Sequence, residues 1–300
     1  NELCNDLGMD TISAGGVIQW LFESIEKGVV PPDSGRGLNL TWGEPEAMVE
    51  LLQRIAYRED IGDDLAEGTK HLAEKFGGES WRWAVQANGL EQSRVDTRVA
   101  KAYSLAFAVN PRGPDHLHSQ PMTEFGAFPE AVELFKQLLG KEELPPATST
   151  EGKPELVRWH EDVFAVTDSL GVCSFATTSS YIISVPSLCR LIKAALGVSL
   201  TEQELLTIGQ RTVVLERMFN LRENPSRRDI LPWRLMNEPI SEGPHIGQTN
   251  SEAEPEGLLK KYYRLHGFAE ETGRPTPEVL ASLGLLRDIS GIERILEVKD

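Results

Sequence analysis

Apolar positions recur at helical spacing along most of the chain. Val17, Ile18, Leu21, Phe22 and Ile25 lie on one helical face, and Gly28 with Pro31-Pro32 supplies the stop. Ala47, Met48, Leu51, Leu52 and Ile55 form a second stripe. Leu65, Thr69, Leu72 and Phe76 form a third, ended by Gly77-Gly78. A fourth runs over about 97–109 and ends at Asn110-Pro111, because the residue before a proline leaves the helical region. Further helical patterns cover 131–139, 155–170 and Leu188 to Ala195, the last with Gly197 behind it. Thr201-Glu202-Gln203-Glu204 predicts a capping box at the head of a helix reaching about Leu221. Two shorter helices are predicted near 258–265 and 277–283. Strand signals are few, and Tyr181-Ile182-Ile183-Ser184-Val185 is the one plausible short strand.

The expected class is therefore mainly α and multihelical. Two stretches are turn-rich, Lys141–Lys153 and Asn224–Asn250. Loops of that length in a compact domain usually serve a function or cover something. No solenoid repeat is present. With 300 residues and about 150 residues per domain, one or two domains are expected.

Charge narrows the function. Thirty Lys and Arg face 46 Asp and Glu, a net of −16. Nucleic acid and anionic membrane surfaces are poor partners for such a chain. There is no apolar run long enough to span a membrane. Asn1-Glu2-Leu3-Cys4 does not read as a signal peptide. Three cysteines, Cys4, Cys173 and Cys189, give no CxxC pair and no four-cysteine site. A reducing, cytoplasmic setting is the expectation.

Common catalytic motifs are absent: no GxSxG, HExxH, Walker loop or GxGxxG. Asp115-His116-Leu117-His118 is the one cluster of histidines. It reads as metal ligands, as a proton relay, or as a polar loop after the Pro111 turn. Two segments echo each other, Asn5-Asp6-Leu7-Gly8-Met9-Asp10 and Asp168-Ser169-Leu170-Gly171-Val172-Cys173. Each closes a helical pattern with a glycine able to take positive φ. Each reads as an ordinary helix stop or as a turn whose amides and acceptors cradle an anion. Cys173 itself reads as a buried small hydrophobe or as a lone thiolate ligand to a cluster held elsewhere.

With these residues in view, the sequence resembles the C-terminal domains of the tungsten-containing aldehyde:ferredoxin oxidoreductases. The family carries a doubled D-x-x-G-L-(C/D) motif, matched at Asn5 to Asp10 and at Asp168 to Cys173. Arg58 to Gly68, Gly113-Pro114-Asp115-His116, Arg217 to Arg222 and Leu231-Pro232-Trp233-Arg234 also resemble it. The resemblance implies two packed helical domains, 1–86 and 87–300, lacking the family's N-terminal β-rich cofactor domain. It implies a tungsten bis-pterin (tungstopterin) cofactor and a [4Fe–4S] cluster. Cys173 matches the fourth cluster ligand, and His116 matches a proton donor near tungsten. Asp10 and Asp168 match the acidic pterin contacts, with the backbone of Met9 and Val172 lining them. Asn5, His118 and Ser174 complete the implied cofactor-binding set. Asn5 replaces an Asp, and His118 stands where a basic residue is common.

The implied reaction is oxidation of an aldehyde to a carboxylic acid, with electrons passed through the cluster to ferredoxin or another low-potential carrier. The C-x-x-C-x-x-x-C half of the family is not in this sequence, so a missing N-terminal half or a separate subunit is the expected partner, with a homodimer as a further expectation. Two alternatives stand beside this reading: the tungsten subunit of an aromatic acyl-CoA reductase, and a non-catalytic helical scaffold.

Overall fold

The computed structural model describes residues 1–126, 128–250 and 253–286. Among them thirteen α-helices and one short hairpin form two compact units. The first unit holds 1–96, 112–115 and 230–249. The second holds the described residues of 97–111, 116–229 and 250–286.

In the first unit, α1 (Glu2–Asp6), α2 (Thr11–Glu26), α3 (Pro45–Tyr57), α4 (Ile61–Leu65) and α5 (Gly68–Phe76) precede the hairpin of β1 (Gln86–Ala87) and β2 (Leu90–Glu91). The stripe from Leu65 to Phe76 is two helices, because Gly68 takes φ +87° and turns the chain between them. Trp20, Leu21, Leu51, Leu65 and Leu72 anchor a shared apolar core. Burying each such side chain is worth about 1.5–3 kcal/mol. This compact unit takes in the hairpin and runs to residue 96. Glu91 shows why: its carboxylate accepts from the Thr69 N–H at 2.7 Å and hydroxyl at 2.9 Å, so the hairpin stays with α5. A distant segment returns to this unit as α11 (Trp233–Asn237). There Arg234 grips Glu23 of α2 and Trp233 meets the Trp81 ring edge-on at 5.4 Å.

The second unit contains α6 (Lys101–Val109), α7 (Pro129–Leu139), α8 (Lys153–Leu170), α9 (Val185–Leu196), α10 (Glu202–Glu223), α12 (Ala253–His266) and α13 (Pro277–Ser282). Helix α8 is its axis, packed on α6, α7, α10 and α12. Gly209 of α10 lies directly on the Asp162 carbonyl of α8, so close that a Cβ has no room. The capping box is formed: Thr201 Oγ1 accepts from the Glu204 N–H, and Glu204 accepts from the Thr201 N–H. Glu124 caps α6 by accepting from the Ala102 and Tyr103 amides, and buried Lys153 sits 2.9 Å from that carboxylate.

The expected strand at 181–185 does not form. Tyr181 sits at φ +58°, Ile182 is exposed, and α9 already begins at Val185 with Pro186 in its first turn. Proline has no N–H to give a strand ladder but fits a helix start. The Tyr181 hydroxyl hydrogen-bonds His160 Nε2 at 2.8 Å, which pins the segment as a loop. No helix among the described residues is long and apolar enough to cross a membrane.

Candidate functional site

The two echo motifs fold into the same turn, one in each unit. After α1, Gly8 takes φ +68°; its N–H donates to the Asn5 carbonyl at 3.2 Å and Met9 N–H to the Cys4 carbonyl at 2.8 Å. After α8, Gly171 takes φ +68°; its N–H donates to the Asp168 carbonyl at 3.1 Å and Val172 N–H to the Thr167 carbonyl at 2.9 Å. These bonds satisfy the orphan carbonyls of each helix end. They also leave Asn5 and Asp168 exposed beside the turn, with Met9 and Val172 half-buried.

The last residue sets the two turns apart. Asp10 is the N-cap of α2, its Oδ1 accepting from the Ser13 N–H at 2.7 Å. Cys173 begins no helix. Its carbonyl accepts from the Thr177 hydroxyl at 2.8 Å, while the residue is exposed and outside any disulfide. The buried-hydrophobe reading of Cys173 therefore fails; it describes Cys4, which is buried, and partly Cys189, which is half-buried. Ser174 is tied down on the same turn. Its hydroxyl meets Thr167 Oγ1 at 3.2 Å and its carbonyl accepts from the Thr177 and Ser179 amides.

His116 and His118 diverge. His116 is half-buried. His118 is buried, with Nδ1 3.7 Å from the Glu216 carboxylate. It lines a cavity of about 20 Å³ together with Glu161, Arg217, Asp229 and Tyr262. That is room for about one water.

The polar groups around this cavity carry no helical-period signal and went unread in the sequence. Glu161, at the core of α8, accepts from the Tyr262 hydroxyl at 2.7 Å and lies 3.4 Å from His266. Burial raises the Glu161 carboxyl well above its ordinary range and, with Arg158 and Arg217, drives His266 well below its own. In each group burial favours the neutral form. Arg217 donates to Asp229 at 2.7 Å and to the Gly273 carbonyl at 2.5 Å; burial opposes its charge and Asp229 outweighs that. The one available clue is the pair Glu161-Asp162 inside an otherwise apolar helix face.

Several motif segments have structural duties. Asn220 holds the Pro111 carbonyl at 2.7 Å. Arg58 pairs with Asp63 at 3.0 Å and Glu67 at 2.6 Å. Gly113 lies against Leu90, where a Cβ would clash.

The donor set can be judged against the implied groups. Cys173 offers one exposed sulfur, and Asn5, Asp10 and Asp168 offer exposed acceptors. Among the described residues no group of three or more His, Cys, Asp or Glu could hold a metal ion. One exposed sulfur is fewer than the four ligands a cubane cluster takes, so these residues fit at most part of such a site.

A multihelical chain with paired glycine turns matches one family throughout. The family model "Aldehyde ferredoxin oxidoreductase, domains 2 & 3" covers residues 1–285. The chain belongs to this oxidoreductase family. It is 34% identical over 289 residues to the tungsten-containing aldehyde ferredoxin oxidoreductase of Pyrococcus furiosus, covering 95% of this chain and 44% of that one. The enzyme of the same name from Thermococcus kodakarensis is 32% identical, with the same coverage. The chain thus spans less than half the length of these relatives. Among solved structures, the active-site complex BamBC of benzoyl coenzyme A reductase, in complex with 1,5-dienoyl-CoA, shares the fold. Its TM-score is 0.71 at 24% identity, covering 92% of this chain and 44% of that one.

Proposed function

We propose that this chain is the C-terminal part of a tungstopterin oxidoreductase that converts aldehydes to carboxylic acids. The two-electron balance is aldehyde plus water giving acid, two protons and two electrons. A [4Fe–4S] cluster held in part by Cys173 would supply the route for these electrons to ferredoxin or a similar carrier. The observation that carries this reading is the pair of turns with the same hydrogen-bond pattern and glycine φ, one ending in Asp10 and the other in exposed Cys173. Units 1 and 2 then correspond to the family's domains 2 and 3.

When bound, tungstopterin supplies a Lewis acid and two-electron acceptor. The rest falls to the chain. Asp10, Asp168 and Asn5 accept hydrogen bonds from the pterins, with the Met9 and Val172 backbone and Ser174 beside them. The Cys173 thiolate binds the cluster. His116 moves the proton of the aldehyde–water step. His118, the buried histidine two residues on, is the further cofactor contact of the proposed set. The missing half, on the same polypeptide or a second subunit, brings the other cluster ligands.

The test is anaerobic turnover of the assembled enzyme. Aldehyde-dependent reduction of a viologen dye or ferredoxin, with tungsten and iron in the preparation, is the expected result. Turnover of an aromatic acyl-CoA by reduction, with no aldehyde oxidation, would overturn this reading in favour of the acyl-CoA reductase. A metal-free assembly would leave the scaffold.

A further inference from the structure

The chain carries a net charge of −16, yet one cavity of its second unit is lined with cations. It encloses about 430 Å³ and is bordered by Arg217, Arg227, Arg228, Lys260 and Arg274. That volume holds a ligand of many atoms, not a single water of about 30 Å³. Three carboxylates share the border, and each is engaged. Asp229 is held by Arg217 at 2.7 Å and by the Tyr263 hydroxyl at 2.7 Å. Glu270 pairs with Arg264 at 2.9 Å, and Glu271 with Lys260 at 3.3 Å. The acids therefore do not neutralise the whole rim.

Arg227 is the cation left over. Its guanidinium donates to the Asn110 carbonyl at 3.1 Å and forms no ion pair among the described residues. A guanidinium has five N–H donors in a rigid fork, so one carbonyl uses little of its capacity. It is half-buried, and Arg217 stands near it. Burial weakens its hold on the proton, Asp229 opposes that, and Arg217 adds to it. The carbonyl contact fixes the fork in place, which lowers the entropy cost of binding a planar or tetrahedral oxyanion. Arg274 is fixed in the same way, donating to the Pro225 carbonyl at 2.9 Å.

We propose that this cavity binds a phosphate group, either free or as the ester of a larger molecule, with Arg227 as its main partner and Arg228 and Arg274 beside it. Guanidinium forks match phosphate oxygens two at a time, and the site's enclosure strengthens such charged hydrogen bonds. The proposal does not depend on the redox reaction, since none of these residues belongs to the paired turns.

Isothermal titration of the assembled protein in chloride buffer tests it, with inorganic phosphate in one arm and adenosine monophosphate in the other. Saturable binding at one site per chain, weakened by added salt, is expected. Phosphate binding as tight as nucleotide binding assigns the site to the free anion. Tighter nucleotide binding assigns it to an ester. Arg227→Gln is expected to weaken binding by about tenfold or more, the scale of a lost charged hydrogen-bond partner. Lys193→Gln, an exposed cation elsewhere on the unit, should leave it unchanged. Should Arg227→Gln fail to fold, the exposed Arg228→Gln decides, with a several-fold loss expected. Absence of saturable binding, or equal affinity in the arginine variants and Lys193→Gln, overturns the proposal.

Discussion

Gly8 and Gly171 occupy the same backbone conformation, φ +68° in both, and each donates to the carbonyl three residues earlier. A side chain meets no steric obstacle at either position, since nothing lies within 4 Å of an added Cβ. The cost of replacement is therefore backbone strain alone, about 1–2 kcal/mol for a left-handed alanine. Gly8→Ala and Gly171→Ala should each lower the thermal midpoint, and Gly171→Asn should lower it less, because Asn tolerates this region. Unchanged midpoints in both alanine variants would contradict the turn geometry.

Gly209 is a different case. The Asp162 carbonyl occupies the space a Cβ needs, so α10 can approach α8 only through glycine. Gly209→Ala is expected to destabilise the second unit by about 1–3 kcal/mol or more, the range for overpacking. Denaturant unfolding compared with the neighbouring exposed change Arg211→Ala measures it.

Two buried groups give opposing pH slopes. Burial raises the Asp162 carboxyl to about 7, with Arg158 pulling it down. Its folded value lies above its unfolded value, so its stability contribution is present below about pH 4 and lost as pH rises to about 7. Burial lowers His160 to about 3. Its contribution is present above about pH 6.5 and lost as pH falls towards 3. Between these limits the two slopes offset. Asp162→Asn should remove its own share of the falling component, so that between about pH 4 and 7 stability falls less with rising pH than in the unsubstituted protein, and the variant is the more stable at neutral pH. A pH series of unfolding midpoints reads the sign directly.

His116→Ala in the assembled enzyme should lower turnover by about 10²–10⁴-fold, the usual loss for a proton-transfer group. Tungsten and iron should be retained, because His116 has no ligand role in the proposed site. His118→Ala should instead cost stability, about 1–3 kcal/mol, since its buried ring faces Glu216 and its loss orphans polar neighbours. Kinetics with metal analysis on both variants separates the two. Near-normal turnover in metal-replete His116→Ala would remove the proton role.

Helices with a one-sided apolar stripe were legible in the sequence, and so was the Thr201 capping box. Their signals are local, set by spacing and by side chains within one turn. The 181–185 run misled because β-branched residues look alike in a strand and in a buried loop; Pro186 was the corrective signal. The echo of Asn5–Asp10 and Asp168–Cys173 was legible because glycine marks positive φ. Its asymmetry was not, since only the fold shows Asp10 capping α2 while Cys173 stays exposed. The Glu161–Tyr262–His266 cluster was hidden for the opposite reason. Glu161 stands 101 residues before Tyr262, and their pairing depends on how α8 meets α12.

In the proposed site Cys173 is a cluster ligand and the turn around it holds a pterin. Metal analysis of the assembled Cys173→Ser enzyme, with Cys189→Ser as the control, separates these two roles. Loss of most of the iron, about four atoms per cubane, and loss of ferredoxin reduction are expected, with tungsten retained and Cys189→Ser unaffected. Full iron content and wild-type electron transfer in Cys173→Ser would contradict the ligand role.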